Sequence, residues 1–139
     1  MSSPRCVKVD LISLILALFF VCLASPSQAY TVLEARLHSA ISPAQADLLD
    51  DAIAAAVAKP ADMLLLSLDT PGGGVEVMRR MVGSILNAPF PVAVYVSPSG
   101  ARAASAGVFL VAAASVAAMA PQTTIGAASP IGQIGRAHV

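Results

Sequence analysis

The stretch SPSGARAASAG, residues 97–107, decides the fold because it joins a strand-like run, residues 92–96, to a long uncharged run with helical character. Ser105 lies at this junction between two alanines, whose small side chains leave room for a substrate. A helix that begins here directs its unpaired backbone N–H groups and its positive dipole end toward negative charge beside the hydroxyl. Acyl transfer requires such an arrangement. Serine is also a common helix N-cap, and the local sequence leaves both interpretations open.

The segment TPGGG, residues 70–74, closes a second strand-like run at residues 63–68. Its glycines allow backbone amides to approach a substrate oxygen without a Cβ atom in the way. A simple strand-to-helix turn or a weak anion nest is the alternative, whereas no Walker or dinucleotide pattern is present. Asp69, directly before the segment, is interpreted as a residue that fixes the turn. One loop therefore offers a nucleophile and the other a candidate oxyanion site.

Strands and helices alternate along the chain. The predicted strands span residues 30–37, 63–68, 92–96 and 116–119, and the predicted helices span residues 43–59, residues 75–87 and a buried segment that begins at 106. The uncharged run 106–120 also suggests a membrane span, but it is shorter than the roughly 20 residues that a spanning helix requires. The alternation predicts an α/β fold with right-handed crossovers.

The first helix carries a start signature, with Ser42 as N-cap, Pro43 as its first residue and Gln45 at the capping-box position. Helical spacing predicts the buried stripes of the two longer helices. They are Ile41, Ala44, Leu48, Ala52, Ile53, Ala56 and Val57 for the first, and Val77, Met81, Val82, Ile85 and Leu86 for the second. The charged residues of both helices are expected to face water: Asp47, Asp50, Asp51, Arg79 and Arg80.

Residues 1–29 have the pattern of a secretory signal peptide. Arg5 and Lys8 form a basic region, residues 11–24 an apolar core and residues 27–29 a small-x-small cleavage site. An uncleaved membrane anchor is the alternative, although the apolar core is short for a bilayer span. The mature chain is therefore expected to be exported, on the periplasmic or extracytoplasmic side of the membrane.

The last six residues, IGRAHV at 134–139, resemble the translation of a sequencing adapter and are interpreted as an artefact. Residues 30–133 then remain as the exported domain, and they stop directly after an apparent loop. We therefore expect the sequence to be a fragment with an incomplete fold and uncovered apolar surface.

Composition excludes several classes of function. Both cysteines, Cys6 and Cys22, lie in the signal segment, so the mature chain has no thiol nucleophile, disulfide or cysteine-based metal site. The formal net charge is zero and no basic patch alternates with aromatic residues, so nucleic acid is not an expected partner. We expect no metal and no cofactor, and the chemistry has to come from oxygen and nitrogen groups.

Three ordered motifs carry a resemblance to a known family. LDTPGGG at residues 68–74, PVAVYVSPSGARAASAG at 91–107 and AMAPQTTIGAASPIG at 118–132 are similar to segments of the ClpP-class membrane serine proteases of the NfeD family, close to the stomatin-operon partner proteases. The resemblance covers nearly all of residues 30–132. It implies a ClpP/crotonase-like fold and a serine–lysine dyad, in which a lysine replaces histidine as general base.

The resemblance also implies roles for individual residues. Ser105 corresponds to the nucleophilic serine of this family. The backbone amides of Gly72 and Gly73 correspond to one oxyanion donor and that of Ala106 to the other. The catalytic residue expected here is therefore Ser105, with the oxyanion contacts supplied by the backbone.

The general base is not found among the residues at hand. Lys8 lies in the signal segment, and Lys59 is expected away from the carboxyl end of the strands. The resemblance implies a base that lies farther along the chain. His38 is expected at the surface and His138 lies in the suspected artefact, so a histidine triad is not visible either. The fragment is therefore predicted to be inactive.

For the intact protein, the resemblance implies an exported, membrane-associated serine endopeptidase. Its substrates would be apolar segments of membrane proteins such as a stomatin-like partner, it would be held at the membrane by further C-terminal segments, and it would form a homo-oligomer. The alternative is a non-catalytic scaffold or binding module of a membrane complex. An α/β-hydrolase, suggested by a degraded GxSxG pattern at residues 103–107, and an acyl-CoA enzyme of the crotonase type are less favoured.

Overall fold

The computed structural model describes residues 29–128, and the predicted signal peptide and the suspected artefact at 134–139 lie outside those residues, apart from Ala29. Strands and helices alternate for most of its length, as the sequence predicts. In chain order the elements are β1 (Val32–Leu37), α1 (Pro43–Ala58), β2 (Met63–Leu68), α2 (Val75–Leu86), β3 (Val92–Val96), β4 (Arg102–Ala104), α3 (Ala106–Ala113), β5 (Val116–Met119) and β6 (Thr124–Gly126).

Four of the strands form a parallel sheet in the order β1-β2-β3-β5. The register aligns Leu37, Leu68 and Val96 on one face, and all three side chains are buried. The helices pack on this face, where every second residue of β2 and of β3 is buried in one common core. The carboxyl ends of the strands therefore meet at one edge, where the two motif loops emerge.

The second, smaller sheet was not predicted. It consists of β4 and β6, which pair in parallel through Arg102↔Thr124, Ala103↔Ile125 and Ala104↔Gly126. Each strand has only three residues, and hydropathy alternation cannot be recognised over so short a segment. The sequence therefore suggested only a loop or the start of a helix at these positions. The pairing is a tertiary contact between two of the three sequence motifs.

The predicted stripe of α1 is wrong in part. The buried residues are Ala46, Leu49 and Ala56, whereas Leu48 and Val57 are 39% and 55% exposed. This helix is rich in alanine and apolar around most of its circumference, so helical spacing does not select one face. In α2 the predicted Leu86 is likewise exposed and Met78 is buried instead.

The predicted capping box at the start of α1 is also wrong. Ser42 has extended backbone at the N-cap position, but its side chain makes no capping hydrogen bond. Its carbonyl oxygen accepts the N–H groups of Gln45 and Ala46, and the buried Gln45 Oε1 has no partner among residues 29–128. Pro43 is the first helical residue, as predicted, because its fixed φ suits that position.

The acidic residues of α1 do more than face water. The Arg80 guanidinium on α2 donates to Asp47 Oδ1 at 2.7 Å and to Asp50 Oδ2 at 2.5 Å, and Ser84 Oγ donates to Asp50 Oδ1 at 2.6 Å. The Ser84 hydrogen bond, together with those from Arg80, lowers the pKa of Asp50 below its usual value. These polar contacts tie the two helices together at the surface.

None of the helices in residues 29–128 has the length and the apolar character that a bilayer span requires.

Candidate active site

Ser105 occupies a strained turn between β4 and α3. Its φ is +51° and its ψ is −115°, a region that a residue with a side chain enters at a cost of about 1–3 kcal/mol. The residue stands at the N-cap position of α3, yet its side chain makes no capping hydrogen bond. Capping therefore does not account for the strain. A sharp strand-to-helix turn that projects a hydroxyl is instead the geometry of a nucleophile elbow.

The turn is held from both sides by backbone hydrogen bonds. The Ser105 N–H donates to the Gly126 carbonyl of β6 at 2.9 Å. On the other side of β4, the Thr70 N–H donates to the Arg102 carbonyl at 2.7 Å and the Ala104 N–H donates to the Thr70 carbonyl at 3.0 Å. Because β4 is paired along both edges, the position of Ser105 is fixed by three different sequence motifs.

The glycine loop lies directly against Ser105. Gly72 has a φ of +104°, and a Cβ atom built on it would lie 2.6 Å from Ser105 Cβ and 3.2 Å from Ser105 Oγ. A Cβ atom on Gly73 would lie 2.1 Å from the Ile41 carbonyl oxygen. Both positions therefore exclude a side chain, and the close approach brings together the predicted nucleophile and the predicted oxyanion loop.

The amides of the site differ in whether they already have an acceptor. The Gly72 N–H donates to Thr70 Oγ1 at 3.1 Å. Neither the Gly73 N–H nor the Ala106 N–H has an acceptor among residues 29–128. The Gly72 carbonyl accepts the Ile41 N–H at 2.9 Å. In a trans peptide the C=O and the following N–H are antiparallel, so the Gly73 N–H points away from Ile41.

A small apolar depression of about 230 Å³ lies on the smaller sheet, next to the turn that carries Ser105. It is lined by Ala103, Ala104, Thr124, Ile125, Gly126 and Ala127. The Ile125 side chain is 43% exposed there. The depression has room for an apolar side chain, and its lining includes Ala104, the residue that precedes Ser105.

The Asp69 carboxylate joins the glycine loop to β4, because its Oδ1 accepts the Arg102 N–H at 3.0 Å. Lys59 is the C-cap of α1 and precedes β2, so it lies toward the amino edge of the sheet, opposite the glycine loop. His38 is hydrogen-bonded to Ser67 rather than to Ser105. Within residues 29–128 no group of three or more histidine, cysteine or acidic side chains is placed to hold a metal ion.

A second group of hydroxyl side chains lies at the same edge of the main sheet, on the face away from the helices. Ser67 Oγ lies 2.8 Å from His38 Nε2 and 2.8 Å from Ser97 Oγ. Both serines are buried, and an open cleft of about 620 Å³ extends beside them, lined also by Glu34 and Tyr95. We refer to His38, Ser67 and Ser97 as the serine–histidine cluster.

Sequence reasoning missed three parts of this site. Thr70 belongs to the TPGGG motif but attracted no role of its own, and Gly126 lies in a segment that was interpreted as loop. The serine–histidine cluster was missed because its members are about 30 residues apart in sequence and meet only through strand register. The one available signal was Ser67 itself, a single polar residue within the apolar run of β2.

Residues 31–138 match the family model described as the NfeD1b N-terminal domain. The membrane-bound protease PH1510 of Pyrococcus horikoshii is 38% identical over 122 residues, which is 87% of this chain. The chain spans 27% of the length of that relative.

The solved structures that match this chain include the N-terminal domain of the same kind of protease. A lysine-to-alanine mutant of 1510-N, described as a membrane-bound stomatin-specific protease in complex with a substrate peptide, matches with a TM-score of 0.72 and 38% identity. The match covers 73% of this chain and 47% of that one. A serine-to-alanine mutant of the same domain matches with a TM-score of 0.73 and 36% identity, over 78% and 54% of the two chains.

A more distant structure supports the fold alone. ClpP1 from Listeria monocytogenes matches with a TM-score of 0.62 and 19% identity, over 68% of this chain and 55% of that one. The predicted ClpP-like α/β fold is confirmed.

Proposed function

The chain belongs to the family of NfeD1b N-terminal domains, and from this premise we propose that it is the nucleophile-bearing part of an exported, membrane-associated serine endopeptidase. The observation that carries the proposal is the contact between the strained Ser105 turn and the glycine loop at Gly72. The relative PH1510 is named a membrane-bound protease, and 1510-N has been solved with alanine in place of one serine and of one lysine. These relatives support a peptidase more strongly than a scaffold.

In the proposed reaction, Ser105 Oγ attacks the carbonyl carbon of a peptide bond and its proton passes to a general base. The new C–O bond leaves a negative charge on the carbonyl oxygen, and in this proposal the N–H groups of Gly73 and Ala106 stabilise that charge. Collapse of this intermediate breaks the C–N bond, and the amine leaves with the proton from the base. Water then hydrolyses the acyl ester and restores Ser105.

We assign the general base to a lysine outside residues 29–128, by resemblance to the family. Lys59 does not suit the role, because it caps the far end of α1. A lysine acts as a base only when its pKa is lowered, which requires a desolvated position near the nucleophile. The exported location is proposed from the apolar run and cleavage pattern of residues 1–29.

The proposed substrates are apolar segments of membrane proteins, a stomatin-like protein among them. Two observations support this choice. The relative 1510-N is described as specific for a stomatin homologue. The depression beside Ser105 is lined mainly by alanine, isoleucine and glycine, which suits an apolar substrate side chain. We further propose a homo-oligomer, which light scattering of the full-length gene product would measure.

The test is hydrolysis of an apolar peptide by the full-length gene product and its Ser105→Ala variant. Loss of the nucleophile is expected to reduce kcat/KM by about a thousandfold or more. Ser99→Ala is the matched control, since Ser99 is an exposed serine of the neighbouring loop whose hydroxyl donates to the Pro121 carbonyl. Equal activity of wild type and Ser105→Ala would overturn the assignment. Binding of the peptide without any hydrolysis by the wild type would favour a scaffold.

A further inference from the structure

Thr70 lies between the glycine loop and the nucleophile turn, and it is completely buried. Its backbone pairs with β4 through the Arg102 carbonyl and the Ala104 N–H. It is therefore joined directly to the strand that ends at Ser105, although 35 positions separate the two residues (105 − 70). The residue has no assigned role in the reaction proposed above.

The two branches of the Thr70 side chain contact different parts of the site. Its methyl group packs against Gly107 in the first turn of α3, where an added Cβ atom would lie 2.6 Å from Thr70 Cγ2. Its hydroxyl oxygen accepts the Gly72 N–H at 3.1 Å. The methyl group thus sets the spacing between loop and helix, and the hydroxyl restrains the Gly72 backbone.

That restraint matters because Gly72 has no side chain to limit its backbone. Glycine can adopt many φ values, of which +104° is only one. Contacts with neighbouring groups therefore have to select the conformation of the loop. Three hydrogen bonds select it. The Gly72 N–H donates to Thr70 Oγ1 at 3.1 Å, and the Gly72 carbonyl accepts from the Thr70 hydroxyl at 3.4 Å and from the Ile41 N–H at 2.9 Å. Together they orient the peptide that carries the Gly73 N–H.

We propose that Thr70 is a positioning residue for peptide hydrolysis, whose hydroxyl orients the Gly72–Gly73 peptide so that the Gly73 N–H can stabilise the oxyanion. The inference rests on the proposed function and adds to it. It also divides the two predicted glycines by role: Gly73 donates to the oxyanion, whereas Gly72 is held by Thr70 and provides the close contact with Ser105.

The experiment compares Thr70→Val with Thr70→Ser in the full-length gene product. Valine keeps the shape and the methyl contact but removes the hydrogen-bond acceptor, whereas serine keeps the acceptor and removes the methyl group. Thr31→Val is the control, because Thr31 is exposed at the opposite edge of the sheet. The readouts are kcat and KM for an apolar peptide, the melting temperature, and the rate of labelling by a fluorophosphonate. In that labelling, Ser105 Oγ bonds to phosphorus, fluoride leaves and the hydroxyl proton is lost to a base.

Thr70→Val is expected to lower kcat and the labelling rate by about five- to tenfold with KM unchanged, as for the loss of one neutral hydrogen bond. Thr70→Ser is expected to keep kcat within about twofold of wild type while lowering the melting temperature, since it retains the bond and leaves a small void. Wild-type kcat in Thr70→Val would overturn the inference. Equal losses of kcat in the valine and serine variants would also overturn it, because packing alone would then explain the effect.

Failure of the underlying function is recognised separately. If labelling of the wild type does not depend on Ser105, the proposed nucleophile is wrong whatever Thr70 does. If labelling depends on Ser105 but not on the Thr70 hydroxyl, the proposed function stands and only the positioning role is lost.

Discussion

Two sets of serines lie at the carboxyl edge of the same parallel sheet, and they differ in what holds them. Ser67 and Ser97 are buried and hydrogen-bonded to each other at 2.8 Å, and Ser67 Oγ also lies 2.8 Å from His38 Nε2. Ser105 has no side-chain capping bond, sits at positive φ, and is enclosed by glycine and alanine. The pair with a histidine neighbour resembles a catalytic arrangement in composition, yet only Ser105 combines a strained turn with unpaired amides. Backbone geometry therefore supports Ser105 as the proposed nucleophile, whereas the nearness of a histidine alone would favour Ser67.

The difference between Ser105 and the serine–histidine cluster can be tested by substitution. We expect the largest effect on peptide hydrolysis from Gly72→Ala. A methyl group here would meet Ser105 Cβ at 2.6 Å and would also be strained at a φ of +104°. We expect hydrolysis to fall by at least about a hundredfold, since small displacements of catalytic groups cost that much. Peptide hydrolysis and melting temperature are the measurements.

Gly83→Ala is the matched control for that substitution. Gly83 lies inside α2, and an added Cβ atom there meets nothing within 4 Å. Alanine is expected to stabilise the helix by about 0.5–1 kcal/mol and to leave hydrolysis unchanged. Wild-type hydrolysis in Gly72→Ala would show that the loop does not set the position of Ser105.

A change in the other region, Ser67→Ala, is expected to affect stability rather than activity. It leaves the buried Ser97 hydroxyl without its Ser67 partner and removes the Ser67 bond to His38. The expected cost is about 1–3 kcal/mol in the free energy of unfolding, measured by urea denaturation, with kcat/KM unaltered. A loss of kcat/KM at full stability would instead place the serine–histidine cluster in the reaction and break the contrast.

The smallest effect is expected from a comparison of Ser105→Gly with Ser105→Ala. Both variants lack the hydroxyl and are expected to be inactive. Glycine tolerates the φ of +51°, so its variant is expected to be more stable than the alanine variant by about 1 kcal/mol. Urea denaturation of the two proteins measures the strain less the entropic cost of glycine, which is about 0.4–1 kcal/mol. An alanine variant more stable than the glycine variant by that amount would mean that the turn at Ser105 is not strained.

Much of the fold could be predicted because β2 and β3 are short apolar runs bounded by proline and glycine. Their bounds agree with the structure, as do the first residue of α3 and the bounds of β5. The faces of α1 were not predictable, since alanine on all sides removes the contrast on which helical spacing depends. Leu48 and Val57 are exposed because the smaller Ala46 and Ala56, with Leu49, lie against the core.

In the candidate site, the residues that lie in motifs could be predicted, whereas the residues that hold them in place could not. Ser105, Gly72, Gly73 and Ala106 were named from motifs, and the structure brings the first two into contact. The contribution of Gly126 was not visible, because it acts through a backbone hydrogen bond that carries no residue signature. That of Thr70 was not visible because its hydroxyl meets Gly72 only in the folded conformation of the loop.

The sequence by itself determined the strand and helix order, the two glycine- and serine-bearing loops, and their place at one edge of a parallel sheet. Local hydropathy and turn residues suffice for that, since consecutive parallel strands end at the same edge. Only the tertiary structure decided the positive φ of Ser105 and the pairing of β4 with both Thr70 and β6. It also decided that the Gly72 N–H has an acceptor, whereas the Gly73 N–H has none among residues 29–128. The turn at Ser105 and the pairings of β4 depend on backbone hydrogen bonds between segments distant in sequence, and every residue has the atoms that form them. The Gly72 N–H is held instead by the Thr70 side chain two residues away, a contact that depends on the folded conformation of the loop.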